Sequence, residues 1–402
     1  MARKFASLSA ALVFTALSAI TPAAAQDQAK EVRIGFVTTL TTPAGVIGRD
    51  MVDAAKLALK HMGGKMAGLN VKLIVEDDGF RPDIGRQKTV KLVKQDKVQF
   101  LTGYIWSHVL MASRKPALDG GAFLISANAG PAPIAGKLCH ENFFSASWQN
   151  DQLPMAVGEL MNKHNVRTLY IMVPNYTAGK NMMAGVTRTF KGKVLGRDLT
   201  KWGKDAQLDF SAEFAKAKAS GAEALFAFYP GKAGVAFLKQ FVQAGLDGRM
   251  QLYTVFMLDA LSLPRLKQAD MEFVLGRQSA HFWSPDLDNP VNRKFVADFR
   301  KEYGRTPSFY AAQAYDAINL IRAGVEGAKG DLTNKDAIRA AMKKADFGSV
   351  RGKFRYGNNH FPIQNFYVRE VIENENGEWT FRTVGKVYEN HQDPYAKDCP
   401  LK

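Results

Sequence analysis

The sequence predicts an α/β protein with parallel sheets, built as two similar modules in tandem. Three observations carry that prediction. Buried-strand patterns alternate with amphipathic helical stretches of ten to fifteen residues, the signature of right-handed βαβ units. The series restarts near Asn150. No low-complexity linker separates the halves, so their connections are short.

The elements follow in order. VRIGFVTTL (Val32 to Leu40) reads as a strand, bounded by TTPAG, and a helix of period 3.6 runs from about Gly48 to Met62. LNVKLIVEDD is the next strand, then a helix from Asp83 to Asp96, the strand VQFLTGYIW, a helix from Ser107 to Asp119 and the strand AFLISA. In the second module a helix from Asp151 to His164 precedes the strand VRTLYIMVP, and a helix runs from Gly179 to about Phe190. Phe210 to Ala219 (helix), EALFAFY (strand), Lys232 to Ala244 (helix) and QLYTVFM (strand) complete it. Beyond Trp283 the pattern turns helical: Val291 to Tyr303, Phe309 to Ala328 and Lys335 to Ala345. A turn at Gly357-Asn358-Asn359 follows, and then an antiparallel pair, Asn365 to Ile372 and Glu378 to Tyr388, about the Asn376-Gly377 turn.

Residues 1–25 read as a cleavable export signal: Arg3 and Lys4 lead, an apolar run extends to about Ile20, and Ala23-Ala24-Ala25 offers the small residues of a cleavage site. The run is short for a membrane anchor, and no Cys stands at the cleavage point for lipid attachment. A buried N-terminal helix is the alternative. Cleavage leaves about 377 residues, enough for two medium domains. The formal charge of +16 is spread along the chain without a basic block or interleaved aromatics, which argues against nucleic acid. The two cysteines, Cys139 and Cys399, are an even count in an exported chain and predict one disulfide; two free thiols are the alternative.

There is no G-x-S-x-G, H-E-x-x-H or Walker motif, and no G-x-G-x-x-G after the first strand. The seven histidines are scattered, so neither catalysis nor a metal or other cofactor is expected. Two strand ends have binding geometry instead, because ligands of open parallel sheets lie beyond the carboxyl ends of strands, facing helix N–H groups. Gly103-Tyr104-Ile105-Trp106-Ser107 runs from strand to helix. Ser107 there is either a helix cap or an anion ligand, and Trp106 either core or an apolar wall. Ser126-Ala127-Asn128-Ala129-Gly130-Pro131 is either a plain turn or a source of open backbone groups and the Asn128 amide.

On these residues the chain resembles the type I periplasmic solute-binding proteins of ABC importers, the leucine/isoleucine/valine-binding group. The ordered set carries the likeness: IGFVTTLTTPAG, G-x-x-x-S after the third strand, ISANAGP, Asn175-Tyr176-Thr177-Ala178-Gly179, and NRKFVADFRKEYGRTPSFYAAQAYDAI. The resemblance implies two Rossmann-like lobes with parallel central sheets, joined by a three-crossover hinge near Ser147–Gln149, Gln278–Phe282 and Tyr356–Phe361. It assigns 26–148 with 281–357 to one lobe and 149–280 with 358–390 to the other. Residues 391–402 form a tail tied back through Cys139 near the first crossover.

It also implies binding residues. Ser107 matches the family's serine, while Asn128 and Gly130, flanking Ala129, stand where relatives offer a carbonyl and a Thr hydroxyl. Phe256 replaces the acid that pairs with an amino-acid ammonium. Ala178 stands where a Tyr is usual, with Tyr176 two residues earlier, and Ile47 replaces a first-lobe aromatic; Tyr229 completes the expected set. An ammonium buried without a carboxylate is strongly disfavoured. The expected solute is therefore a carboxylate with an aromatic body, of benzoate or cinnamate type, stacked among Trp106, Tyr176 and Phe256. Asp259 lies near enough to restore an acid, so a hydrophobic amino acid is the alternative. The expected protein is a periplasmic monomer, not an enzyme, delivering its solute to inner-membrane ABC permease subunits; a ligand sensor for a membrane receptor is the rival class.

Overall fold

The computed structural model describes residues 1–2, 31–203 and 206–401. The expected signal segment therefore lies outside the described residues, save its first two. The first lobe begins with β1 (Glu31–Thr38), α1 (Gly45–His61), β2 (Lys65–Met66), β3 (Leu69–Asp77) and α2 (Pro82–Lys94). It continues through β4 (Phe100–Gly103), α3 (Ser107–Asp119), β5 (Phe123–Ser126), the short α4 (Ala132–Ala135) and β6 (Phe143–Ser145). The second lobe holds α5 (Gln152–Lys163), β7 (Thr168–Pro174), α6 (Thr177–Thr189), β8 (Lys193–Thr200), α7 (Ser211–Ala219) and β9 (Ala224–Phe228). Then come α8 (Lys232–Gln243), β10 (Gln251–Val255) and α9 (Leu263–Lys267). The last stretch runs β11 (Gln278–His281), α10 (Pro290–Tyr303), α11 (Phe309–Gly327), α12 (Lys335–Lys343), β12 (Arg355–Tyr356), β13 (Pro362–Glu373) and β14 (Trp379–His391).

The expected α/β class with two parallel sheets is what the chain forms. The first sheet has the order β2-β3-β1-β4-β5-β6, parallel except for the edge strand β2. The second has the order β10-β9-β7-β8, all parallel. β13 and β14 pair antiparallel across the expected turn, and β11 joins β13. The late helices cap cleanly: Asn289, Ser308 and Asn334 accept first-turn amides, and Gly304 closes α10 in the left-handed conformation. α11 packs on α1, returning the C-terminal half of the chain to the first lobe. Among the described residues no helix is long and apolar enough to cross a membrane.

Several differences from the sequence reading have clear causes. The third strand stops at Gly103 and does not reach Trp106. Gly103 adopts φ 104°, and a Cβ there would meet the Val37 carbonyl at 2.3 Å, so the chain turns. β8, read as no element, is an edge strand whose exposed polar residues hide its period. β11 is short and polar, QSAH, yet buried.

One buried cation ties together the segments around Ser147, Asp316 and Gln364. Arg351 pairs with Asp316 at 3.2 Å, and its Nη1 donates to the Ser147 carbonyl (2.9 Å) and Gln364 Oε1 (2.8 Å). Tyr356 donates to the Ser145 carbonyl at 3.0 Å. Cys139 and Cys399 are joined, and Asn359 donates to both the Ala135 carbonyl (2.8 Å) and Asp393 (2.9 Å), so the C-terminal tail lies against this junction.

Candidate functional site

Strand order places the site. In the first sheet β1 leads to β3 on one side and β4 lies on the other, so the order reverses between β1 and β4. The loops after these strands diverge and open a crevice at their carboxyl ends. In the second sheet the same reversal falls between β7 and β9. The loop after β4 carries Trp106 and Ser107, and the loop after β7 carries Tyr176. The two crevices face each other, and α3 meets α6 across the gap.

Both helices start bare at this gap. Trp106 and Tyr176 are the N-cap residues of α3 and α6, and neither makes a side-chain capping bond. Helix geometry leaves the first amides without intrahelical acceptors, and the two macrodipoles point their positive ends into the same space. Near them Asn150 Nδ2 donates to Ser107 Oγ at 3.0 Å and to Asn181 Oδ1 on α6 at 3.2 Å, bridging the lobes.

An aromatic seam closes over these helix starts. Trp106 packs on Phe80 with centroids 4.3 Å apart, and Trp202 from the second lobe meets both, Phe80 at 5.7 Å and Trp106 at 6.0 Å. Trp202 in turn stacks on Tyr176 at 5.5 Å, with Phe228 beyond it at 6.3 Å from Tyr176. The indole of Trp106 is aimed by a relay: its Nε1 donates to Thr39 Oγ1 (2.8 Å), and Thr39 donates to Asp78 (2.5 Å). Asp78 also accepts the Phe80 amide at 2.8 Å, so one carboxyl positions both first-lobe rings. Burial raises its pKa to about 6. The Trp202 Nε1 and His108 Nδ1 are buried without partners among the described residues, and burial lowers the His108 pKa to about 4.

Not every expected residue reaches this space. Trp106, Ser107 and Tyr176 converge on it. Phe256 sits deeper, at φ 63°, stacked on Phe309 at 4.7 Å and packed on Trp148 at 4.9 Å and Phe228 at 5.7 Å. The Asn128 amide is already used by the protein: Nδ2 donates to the Ile105 carbonyl (2.6 Å) and Oδ1 accepts from Gln313 (3.1 Å). Ala129 and Gly130 are likewise engaged, the former donating to the Tyr104 carbonyl and the latter exchanging bonds with Asn150. A Cβ on Gly130 would lie 2.0 Å from the Trp148 carbonyl, which is why no Thr fits there.

Tyr229 lies apart from these residues. It is fully buried in the second-lobe core, stacked on Phe237 at 5.1 Å with its hydroxyl 3.0 Å from Thr200 Oγ1, and does not line the gap. A residue ending a buried strand points to one face of the sheet or the other, and sequence alone left that parity open. Ile47 does reach the second lobe, its Cδ1 lying 3.8 Å from the place a Cβ on Gly231 would take. Asp259 caps its own loop, Oδ1 accepting the amides of Leu261 (2.7 Å) and Ser262 (2.8 Å); burial raises its pKa to about 6.

Phe80, Trp202, Phe228, Asn150 and Asn181 were not anticipated. Phe80 and Phe228 each lie at or just beyond a strand's carboxyl end, a position that could have flagged them. Trp202 follows the unrecognised β8, so no local signal marked it. Among the described residues no group of three or more His, Cys, Asp and Glu converges on a metal-sized space.

Residues 31–377 match the family described as periplasmic binding protein. A relative named Leu/Ile/Val-binding protein homolog 6, from Brucella melitensis, is 26% identical over 398 residues, covering 96% of this chain and 99% of its own. Among solved structures, an R. palustris ABC-transporter solute-binding protein in complex with benzoate is 28% identical with TM-score 0.84, covering 92% of this chain and 100% of that one. A leucine-binding protein from Thermotoga maritima shares the fold, at 18% identity and TM-score 0.76 over 88% of this chain and 99% of that one.

Proposed function

Because the chain belongs to the periplasmic binding protein family, we propose that it captures a small aromatic carboxylate between its two lobes and delivers it to the permease of an ABC importer. The observation that carries this reading is the aromatic seam Phe80–Trp106–Trp202–Tyr176 lying directly over two uncapped helix starts. The rings suit a flat apolar body. The bare amides of α3 and α6 and the Ser107 hydroxyl suit its anionic end. The benzoate complex of the R. palustris relative supports the same ligand class.

Capture works by closure. Only the closed form presents both helix starts to one solute, so binding draws an open–closed equilibrium toward closed. Arg351, holding Ser147 and Gln364 together, supports a hinge at the three expected crossovers and lobes divided as 26–148 with 281–357 and 149–280 with 358–390. The family supports a periplasmic location and a receptor without a catalytic step.

A second reading, a hydrophobic amino acid, is favoured by the Brucella relative's name and by Asp259 beyond Phe256. A thermal-shift and calorimetric series with benzoate, 4-hydroxybenzoate and cinnamate against Leu, Ile, Val and Phe separates the two. Stabilisation by the acids alone is expected, and stabilisation by amino acids alone overturns the aromatic-acid reading. Ser107→Ala should weaken benzoate about tenfold, the worth of one charge-assisted hydrogen bond; an unchanged Kd removes Ser107 from the site.

A further inference from the structure

A cavity of about 650 Å³ is lined by residues of both lobes, and none of the seam residues Phe80, Trp106, Tyr176 and Trp202 borders it. The stacked pair Phe256–Phe309 stands between the two places. Its first-lobe wall is Trp283 with the loop entering α11; its second-lobe wall is α9, Arg369 of β13 and the hairpin around Trp379.

Arg369 is the unusual member. Its side chain is 2% exposed, Nε donates to Ser279 Oγ (3.2 Å), Nη2 donates to the Leu258 carbonyl (3.1 Å), and the guanidinium stacks over Phe381 at 4.0 Å. Among the described residues Nη1 has no acceptor and the guanidinium no ion pair; Asp259 and Asp286 act on it only at longer range. Of the other charged groups lining the cavity, Asp259 is held by the amides of Leu261 and Ser262 without an ion pair, and the rest are paired. Arg305 is held by Asp50 (2.9 Å) and Asp53 (2.8 Å), Lys267 by Glu373 (3.1 Å), and Glu378 faces Arg300 at 3.7 Å. A buried cation without a counter-ion is unfavourable. Here it borders an open space walled by two indoles, with Leu263 and Phe309 nearby.

We propose that this cavity is a second ligand site, for a small organic anion whose charged end pairs with Nη1 of Arg369 and whose apolar body lies against Trp379 and Trp283. The site is independent of the aromatic seam. Its walls come from both lobes, and none of its lining residues belongs to the seam. The same chemistry is met by a second molecule of an aromatic acid or by an unrelated small anion such as phosphate.

The test uses the full mature chain carrying 5-fluorotryptophan, whose five indoles report separately by fluorine NMR during titrations with benzoate and, in parallel, inorganic phosphate. Benzoate should move the Trp283 and Trp379 signals along a saturable curve. Arg369→Gln should weaken that curve at least tenfold and leave the Trp106 and Trp202 response unchanged. Thr380→Phe, which keeps the guanidinium and fills the cavity from β14, should abolish the Trp283 response, and serves if the Arg369 variant does not fold. No saturable movement of Trp283 and Trp379, or an identical curve in both variants, overturns the site. Movement with phosphate alone overturns its preference for an organic body. Failure of the aromatic-seam reading looks different: Trp106 and Trp202 stay still whatever Trp283 and Trp379 do.

Discussion

Replacing Trp202 by Ala tests the closure mechanism directly. Its stack on Tyr176 lies within the second lobe and persists whether the lobes are open or shut, so that contact cancels. Its edge-on contacts with Phe80 (5.7 Å) and Trp106 (6.0 Å) cross the gap and exist only when the lobes are shut. Each aromatic pair contributes about 0.5–1.5 kcal/mol beyond area burial, so the closed form should lose about 1–3 kcal/mol relative to the open one. Because ligand is gripped only by the closed form, affinity falls by the same free energy, about 5- to 150-fold in Kd. Calorimetry with benzoate reads the change, and small-angle scattering of the ligand-free protein should show expansion. A double-mutant cycle with Phe80→Ala should return a coupling of about 1 kcal/mol, which separates pairing across the gap from contact with solute. An unchanged Kd with zero coupling, in a variant whose Tm is intact, refutes the reasoning.

Asp78, with its folded pKa raised from 3.8 to about 6, should make stability fall with pH. The protonated form is favoured in the folded state, so its contribution is whole below about pH 4 and is lost as pH rises through about 6, about 3 kcal/mol in total. Urea unfolding of the wild type and Asp78→Asn across pH 4–7 should differ by that slope, and parallel curves would contradict it. Replacing Cys139 and Cys399 by Ser opens a loop with sequence separation 260 and should lower stability by about 5 kcal/mol in the chain-entropy account; a loss under 1 kcal/mol in chemical denaturation would place the tail's stability in the Asn359 hydrogen bonds instead.

What could be read in the sequence depended on how locally each feature is encoded. α3 begins at Ser107 and ends at Asp119 as expected, because Gly103 ends the strand before it and the apolar period runs unbroken. β8 escaped notice because its apolar residues, Val194, Leu195 and Leu199, do not alternate and Gly196-Arg197-Asp198 interrupts them. Asn128 has the right residue type at the right strand end, yet Gln313, 185 positions away, occupies its amide. No window around Asn128 contains that information.

The sequence by itself determined the alternation of strand and helix, the two modules, the pairing of the only two cysteines, and the strand ends where Trp106, Ser107 and Tyr176 stand. These follow from local period and covalent count. Only the tertiary structure decided that Trp202 bridges to Phe80 and Trp106, that Tyr229 turns into the core, and that Arg369 is buried beside an open cavity without a counter-ion. Those outcomes depend on which groups meet after two lobes close, and such contacts are set by the summed packing of distant segments rather than by any residue's own neighbours.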